Sequence, residues 1–299
     1  MIPAFVNFGI SKGYLVLCAP CVDPVISGAS SFINKETAML KTIFKLTPLV
    51  AAIMSGYASA GETIRLGIMS GEDEDVWKVA SVQAKKQGLD IELIKFNDYI
   101  LPNEALENGE IDANAFQHKP YLDNQVKSRG YHIVPVGNTA VWPIGLYSKK
   151  FNAVGDLPEG AIIGVPNDPS NEGRALRVLA SAGVIKLRPG SGILATTTDI
   201  IDNPKKLQIR ELDTGIIGRS LEDLDAAVVN TDWALKSGLS QQQRIYSETA
   251  KENPYNNFIA VKSGNESAPW VKTLVASYQN EQVKAALEKY YKGTAIPAW

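Results

Sequence analysis

The chain has 299 residues, a formal net charge of −2, 45% hydrophobic residues and 21% charged residues. That composition fits a soluble globular protein of one large or two ordinary domains. The near-neutral balance excludes a polybasic surface for nucleic acid or anionic lipid, and no stretch reaches the ~20 uninterrupted apolar residues that a membrane span needs.

Met39 opens "MLKTIFKLTPLVAAIMSGYASAGETIRLG". Lys41 and Lys45 form a basic region, Leu46 to Met54 a short apolar run, and Ala58-Ser59-Ala60 an A-x-A site. This order predicts an export signal over residues 39–60, cut after Ala60. Such a signal belongs at an N-terminus, so residues 1–38 are expected to be an upstream extension from a start assigned too early. Both cysteines, Cys18 and Cys21 of "CAPC", lie in that stretch. No second CxxC accompanies them, so neither a redox pair nor a zinc site is expected there. The mature chain would then have no disulfide, no thiol nucleophile and no thiolate metal site. Leu17 stands before Cys18 where a lipidated cysteine needs a small residue.

From Gly61 onward the elements alternate. Thr63–Met69 reads as a strand. The segment "EDEDVWKVASVQAKKQG" reads as an amphipathic helix, with Val76, Val79, Ala80 and Val82 on its apolar side and Gly88 at its end. Asp90–Phe96 alternates like a strand, "PNEALENGE" is a short helix closed by Gly109, and "IDANAF" is another strand. A second round follows "VWPIGLYSKK". Gly160–Pro166 is a strand, Ser170–Gly183 a helix with Leu176, Leu179 and Ala182 inward, and Lys206–Leu212 a strand. Ser220–Asp225 is then a short helix and Ala226–Asn230 a strand. Two β-α-β units predict two α/β lobes with a cleft between them. Asn253–Gly264 reads as a strand returning to the first lobe, where the helices "APWVKTLVASYQN" and "EQVKAALEKYYKG" would pack. The expected division is 61–145 plus 255–299 for the first lobe and 146–254 for the second.

Catalytic signatures are weak. "GSGILA" (Gly190–Ala195) matches GxGxxA, but Pro189 precedes it and no phosphate-binding helix follows, so a plain glycine turn is expected. His118 and His132 are too far apart for a helical metal pair. No GxSxG elbow is present, and no activated nucleophile can be named. Neither a metal nor a cofactor is expected.

Binding chemistry is stronger. Ligands of parallel α/β sheets sit at the carboxyl ends of the strands. The loops there offer Tyr99, Phe116, His118, Trp142 and Asn230. After the strand Gly160–Pro166 comes "NDPSNEGRAL", in which Ser170 is suited to cap the next helix and Arg174 falls in its first or second turn. A cation near a helix N-terminus wants an anion, and Glu172 is badly placed to supply it. Two partners for Arg174 stay open: a ligand carboxylate or a remote acidic side chain. Aromatic walls suit an apolar or thioether side chain.

The segments "FNDYILPNEALENGEIDANAFQHKPYLDNQ", "VGNTAVWPIGLYSKK", "VPNDPSNEGRALRVL" and "DNPKKLQIRELD" resemble the NlpA-type methionine-binding proteins, the substrate-binding components of ABC methionine importers. The resemblance covers essentially all of residues 61–299. It implies a two-lobed periplasmic-binding-protein fold of type II, with the ligand in the interlobe cleft. Tyr99, Phe116, His118 and Trp142 would line the side-chain pocket or its rim, Arg174 would hold the α-carboxylate, and Asn171 and Asn230 would bond the amino-acid backbone. His118 is then a pocket-wall residue and not a catalytic base. The expected partners are methionine, the importer permease and its ATPase subunit, for a monomeric binding protein that is not an enzyme. Members of this family usually carry a lipidated cysteine at the end of the signal, and "SGYASA" has none, so a soluble periplasmic protein is expected. Trp142 stands where Tyr is more usual. A binding protein for another small amino acid or a methionine dipeptide stays open, as does an enzyme on the same scaffold.

Overall fold

The computed structural model describes residues 61–299; the upstream stretch 1–38 and the expected export signal over 39–60 lie outside the described residues. The described chain builds two five-stranded sheets, each with its own apolar core.

The first sheet starts with β1 (Glu62–Met69) and β2 (Leu89–Phe96), paired in parallel so that Met69 lies opposite Phe96. Next to β1 runs β3 (Ala113–His118), also parallel. β4 (Ile133–Asn138) lies at the other edge, and β13 (Asn257–Lys262) enters between β3 and β4, antiparallel to both. The late strand thus returns to the first lobe, as its position in the sequence suggested. One face is covered by α1 (Glu72–Lys86), α6 (Pro269–Tyr278) and α7 (Glu281–Tyr291), around Leu66, Trp77, Tyr278 and Leu287. The other face packs α2 (Leu101–Glu107) and α3 (Lys119–Arg129) through Leu106, Leu122 and Phe258.

Helix α1 corrects one sequence reading. Its buried stripe is Asp73, Val76, Trp77, Ala80 and Ala84, whereas Val82 is 56% exposed. These buried positions recur at three- and four-residue steps, and position 82 falls on the opposite side of the same helix.

The chain leaves the first lobe after β5 (Ala140–Val141), which pairs with the C-terminal β14 (Ile296–Pro297). The second sheet has the order β10-β7-β11-β6-β12, formed by β6 (Gly145–Tyr147), β7 (Ile162–Pro166), β10 (Gln208–Leu212), β11 (Ala226–Val229) and β12 (Arg244–Ser247). β7, β10 and β11 are parallel, while β6 runs antiparallel to β11 and β12. α4 (Pro169–Ser181) buries Leu176 and Leu179 against Ile163 and Val165. The loop holding "GSGILA" lies on this helix. A Cβ at Gly173 would stand 2.4 Å from the Ile193 carbonyl oxygen, so only glycine permits the approach. Between β8 (Lys186–Leu187) and β9 (Ile200–Asp202), Gly190 and Gly192 turn the chain at positive φ. The segment expected to be a helix at Ser220–Asp225 is a 3₁₀ turn over Arg219–Glu222. No helix among the described residues is long and apolar enough to cross a membrane.

Candidate functional site

The strands stop where the two lobes face one another. β1 ends at Met69, β3 at His118 and β11 at Val229. The loop after β2 brings Tyr99, and the loop after β7 leads into α4 with Asn171 and Arg174. Between them lies a cavity with about 610 Å³ of free space, part of it open to solvent. Tyr99, Phe116, His118, Trp142, Asn171, Arg174 and Asn230, the seven residues singled out in the sequence, all line it. The lining also includes residues the sequence reading did not single out, among them Met69, Asp73, Tyr121, Asp232 and Tyr291.

One wall is aromatic. The Tyr99 ring lies 6.0 Å from Phe116, 6.2 Å from Tyr121 and 6.0 Å from Trp233, in tilted or edge-on arrangements. These distances suit attractive ring quadrupoles. Tyr121 fixes the arrangement by donating its hydroxyl to the Tyr99 carbonyl at 2.6 Å. A second aromatic pair, Trp142 and Tyr291, meets edge-on at 5.6 Å.

His118 sits where β3 passes into α3. Its Nδ1 accepts the Tyr121 backbone N–H at 3.2 Å and so caps the helix. The proton of the neutral ring then belongs on Nε2, which donates to Asn171 Oδ1 at 3.2 Å. Burial, with the nearby Arg174 charge, pushes the His118 pKa down to about 3. The residue therefore stays a neutral, fixed wall and hydrogen-bond donor.

Helix α4 corrects the expected cap. Pro169 takes the first helical position, which makes Asp168 the N-cap. Asp168 accepts the Asn171 backbone N–H at 3.0 Å and its side-chain amide at 2.9 Å. Ser170 instead donates its hydroxyl to Asp168 at 2.8 Å. Asn171 Oδ1 accepts from both His118 and Asn230, the latter at 3.1 Å. Asn171 thus joins the lobes and orients its neighbours, and Asn230 keeps a buried Oδ1 with no hydrogen-bond partner among the described residues. Trp142 Nε1 is likewise a buried donor without a partner. A buried unpartnered acceptor and donor in one cavity wall match an ammonium and a carboxylate.

Arg174 is 3% exposed and already has an anion. Its guanidinium forms an ion pair with Glu248. Nε donates to both Glu248 oxygens at 3.1 and 3.2 Å, and Nη2 donates to the Trp142 carbonyl at 2.9 Å. The Tyr255 ring lies 4.3 Å beneath it. Of the two partners open in the sequence, the remote acid is present. Glu248 was not singled out because it follows β12, far from α4 in the chain. Nη1 makes no hydrogen bond to the described residues. Arg174 also ties both passages between the lobes together, since Trp142 lies on the first and Glu248 and Tyr255 lie on the second.

The family model for the NlpA lipoprotein matches residues 64–299. The chain is 45% identical over 267 residues to the "D-methionine-binding lipoprotein MetQ" of Escherichia coli K12, covering 86% of this chain and 98% of that protein. It matches a solved nutrient-binding protein from Burkholderia cenocepacia bound to methionine at 50% identity and a TM-score of 0.77, covering 79% of this chain and all of that one. It also matches the substrate-binding protein of a methionine transporter from Streptococcus pneumoniae at 38% identity and a TM-score of 0.75, covering 79% and 96% of the two chains. With the match running from the first strand to the last residue, this chain belongs to the NlpA lipoprotein family.

Proposed function

We propose that this protein captures methionine between its two lobes and hands it to an ABC importer. The observation that carries the reading is one cavity that joins an aromatic wall to a buried unpartnered acceptor and donor, Asn230 Oδ1 and Trp142 Nε1. A thioether on Phe116, Tyr99 and Tyr121 gains ~0.3–1.5 kcal/mol per sulfur–aromatic contact beyond its burial. The ligand's ammonium goes to Asn230. Its carboxylate goes to Trp142 Nε1 and the remaining Arg174 nitrogen. His118 and Asn171 hold those groups in place. The relatives' printed names and titles, which speak of methionine, support the same ligand.

In this reading the protein is a monomer that binds and releases methionine unchanged, with the importer's permease and ATPase subunit as partners. The lobes, about 61–145 with 255–299 and about 146–254, hinge where the chain passes between them. Export and cleavage after Ala60 place the mature protein in the periplasm. The printed names of the relatives speak of a lipoprotein, whereas "SGYASA" offers no cysteine to lipidate, and we take the mature form to be released. A lipid on the purified N-terminus would overturn that part alone.

The test is calorimetric titration of protein stripped of ligand by unfolding and refolding. Either enantiomer of methionine should bind more tightly than leucine, which lacks the sulfur contacts. Binding of neither enantiomer, or turnover of the ligand, would sink the assignment.

A further inference from the structure

One end of the cavity is not apolar. Asp232 and Lys236 lie on α5 (Thr231–Lys236), in the second lobe. Tyr99, from the first lobe, donates its hydroxyl to Asp232 Oδ1 at 2.6 Å. Asp232 Oδ2 is buried without a hydrogen-bond partner and stands 4.0 Å from Lys236 Nζ, which also has none. Lys236 Nζ is 4.3 Å from the centre of the Trp233 ring. The lysine stem crosses the cleft: a Cβ on Gly71 would stand 3.5 Å from Lys236 Cε. Gly71 is the N-cap of α1, and the first turn of that helix carries Asp73, 8% exposed and lining the same cavity.

We propose that Asp232 and Lys236 are positioning residues that latch the second lobe onto Tyr99 and the Asp73 turn of the first lobe, and so set how long the cleft stays shut on its ligand. The inference rests on the cleft being the ligand site. The Tyr99–Asp232 bond joins two lobes and must break when they part. A contact that exists only in the shut form acts on the rate of release more than on the rate of capture. Lys236 supplies the charge that makes the buried Asp232 tolerable, without occupying its oxygen.

The same arrangement gives the latch a pH limb. The groups facing Asp73 are Asp232 and Lys236 on α5, Tyr278 on α6 and Tyr291 on α7, and the backbone at Met69 hydrogen-bonds it. Burial, then the Asp232 charge, pushes the Asp73 pKa up to about 8. The shut cleft therefore holds a proton on Asp73 that a solvated carboxyl gives up near its ordinary value. A raised pKa is a contribution lost as pH rises, here through about 8. His118, ordinarily titrating near ~6.5 and held neutral in the shut cleft, favours the shut form more as pH rises, so a loss between pH 6.5 and 8.5 belongs to the carboxyls. Asp232 is itself raised by burial and acts in the same direction.

The experiment measures methionine dissociation by stopped flow at pH 6.5 and 8.5, with scattering of the ligand-free protein alongside. Asp232→Asn and Lys236→Met should each speed release by about tenfold, the worth of one charge-assisted contact, at an unchanged association rate. Lys236→Arg should restore release to within about threefold of the starting protein. Asp73→Asn should remove most of the loss of affinity between the two pH values. If Asp232→Asn does not fold, Lys236→Met, at a partly exposed side chain, carries the test. Release within twofold of the unaltered protein in the folded variants, or an unaltered pH limb in Asp73→Asn, would overturn the latch. If the unaltered protein binds no methionine, the proposed function fails. The scattering then decides the latch: the ligand-free protein should be more compact at pH 6.5 than at 8.5, and Lys236→Met equally open at both.

Discussion

At the scale of single residues, Arg174 carries two loads. It is buried against Glu248 and the Trp142 carbonyl, and it lines the cavity. Arg174→Ala should therefore cost stability as well as affinity. Leaving Glu248 in place without its partner costs about 3–5 kcal/mol, which chemical denaturation would read. Methionine affinity should fall at least about thirtyfold, the lower end for a lost buried charge partner. Glu248→Gln separates the loads: it keeps the shape, removes the carboxylate charge and should leave affinity within about threefold, since the ligand carboxylate then competes with nothing for the guanidinium. Equal losses of affinity in both variants would show that the pair acts only as a brace for the lobe passages. His118 gives a second test. Its pKa is depressed to about 3, so its contribution to stability is present above its ordinary value and is lost as pH falls toward 3. Its ring resonances should stay those of neutral imidazole from pH 8 down to 5. A midpoint near 6.5 would mean the ring is solvated and the cleft wall is misassigned.

At the scale of elements, α4 shows how a cap reaches the site. Asp168 receives the Asn171 backbone N–H and side chain, and Thr214 donates to it at 3.3 Å. Asp168→Ala should cost about 1 kcal/mol of stability as a lost N-cap. It should also weaken ligand binding, because Asn171 then loses the bond that orients it toward His118 and Asn230. Asp168→Asn, which keeps an acceptor, should recover most of the stability. An unchanged affinity in folded Asp168→Ala would confine the residue to capping. The strands β1, β2, β3, β7, β10, β11 and β13 were legible from their apolar patterns and from the glycines that end α1 and α2, whereas the edge strands β4 and β12 and the three-residue β6 were not. The strand-end rule pointed to Tyr99, Phe116, His118, Trp142 and Asn230, which line the cavity, although Phe116 and His118 do so from within β3 and not from the loop after it. Their assignment to a methionine pocket came from the family resemblance, since aromatics at strand ends have the same local pattern in an ordinary core. Ser170 read as the cap, and Pro169 at the first helical position moves that role to Asp168. Glu248 and Asp232 were not legible. Each meets its partner across a long stretch of chain, and no periodicity records which distant loops become neighbours.

At the scale of the whole molecule, the two lobes are not separate folding units. The first lobe is closed by β13, α6 and α7, which come after the second lobe in the chain. A shared apolar cluster then joins Met69, Phe116 and Tyr121 of the first lobe to Ile217, Leu224, Val229 and Trp233 of the second. A lobe that cannot finish its sheet until the other has been traversed, and that shares core residues with it, should unfold with it. Scanning calorimetry of residues 61–299 is expected to show one cooperative transition, with the calorimetric and van't Hoff enthalpies in agreement. Ligand should move that transition as a whole. At a methionine concentration 100 times Kd the added stability is about 2.7 kcal/mol. For a chain of this size that corresponds to a rise in Tm of roughly 5–11 °C, growing with the logarithm of ligand concentration. Two resolved transitions, of which methionine shifts only one, would contradict the shared cluster as a unit of stability. They would also place the ligand's contacts within a single lobe, against the proposed site, which takes Tyr99 and Phe116 from one lobe and Arg174 and Asn230 from the other.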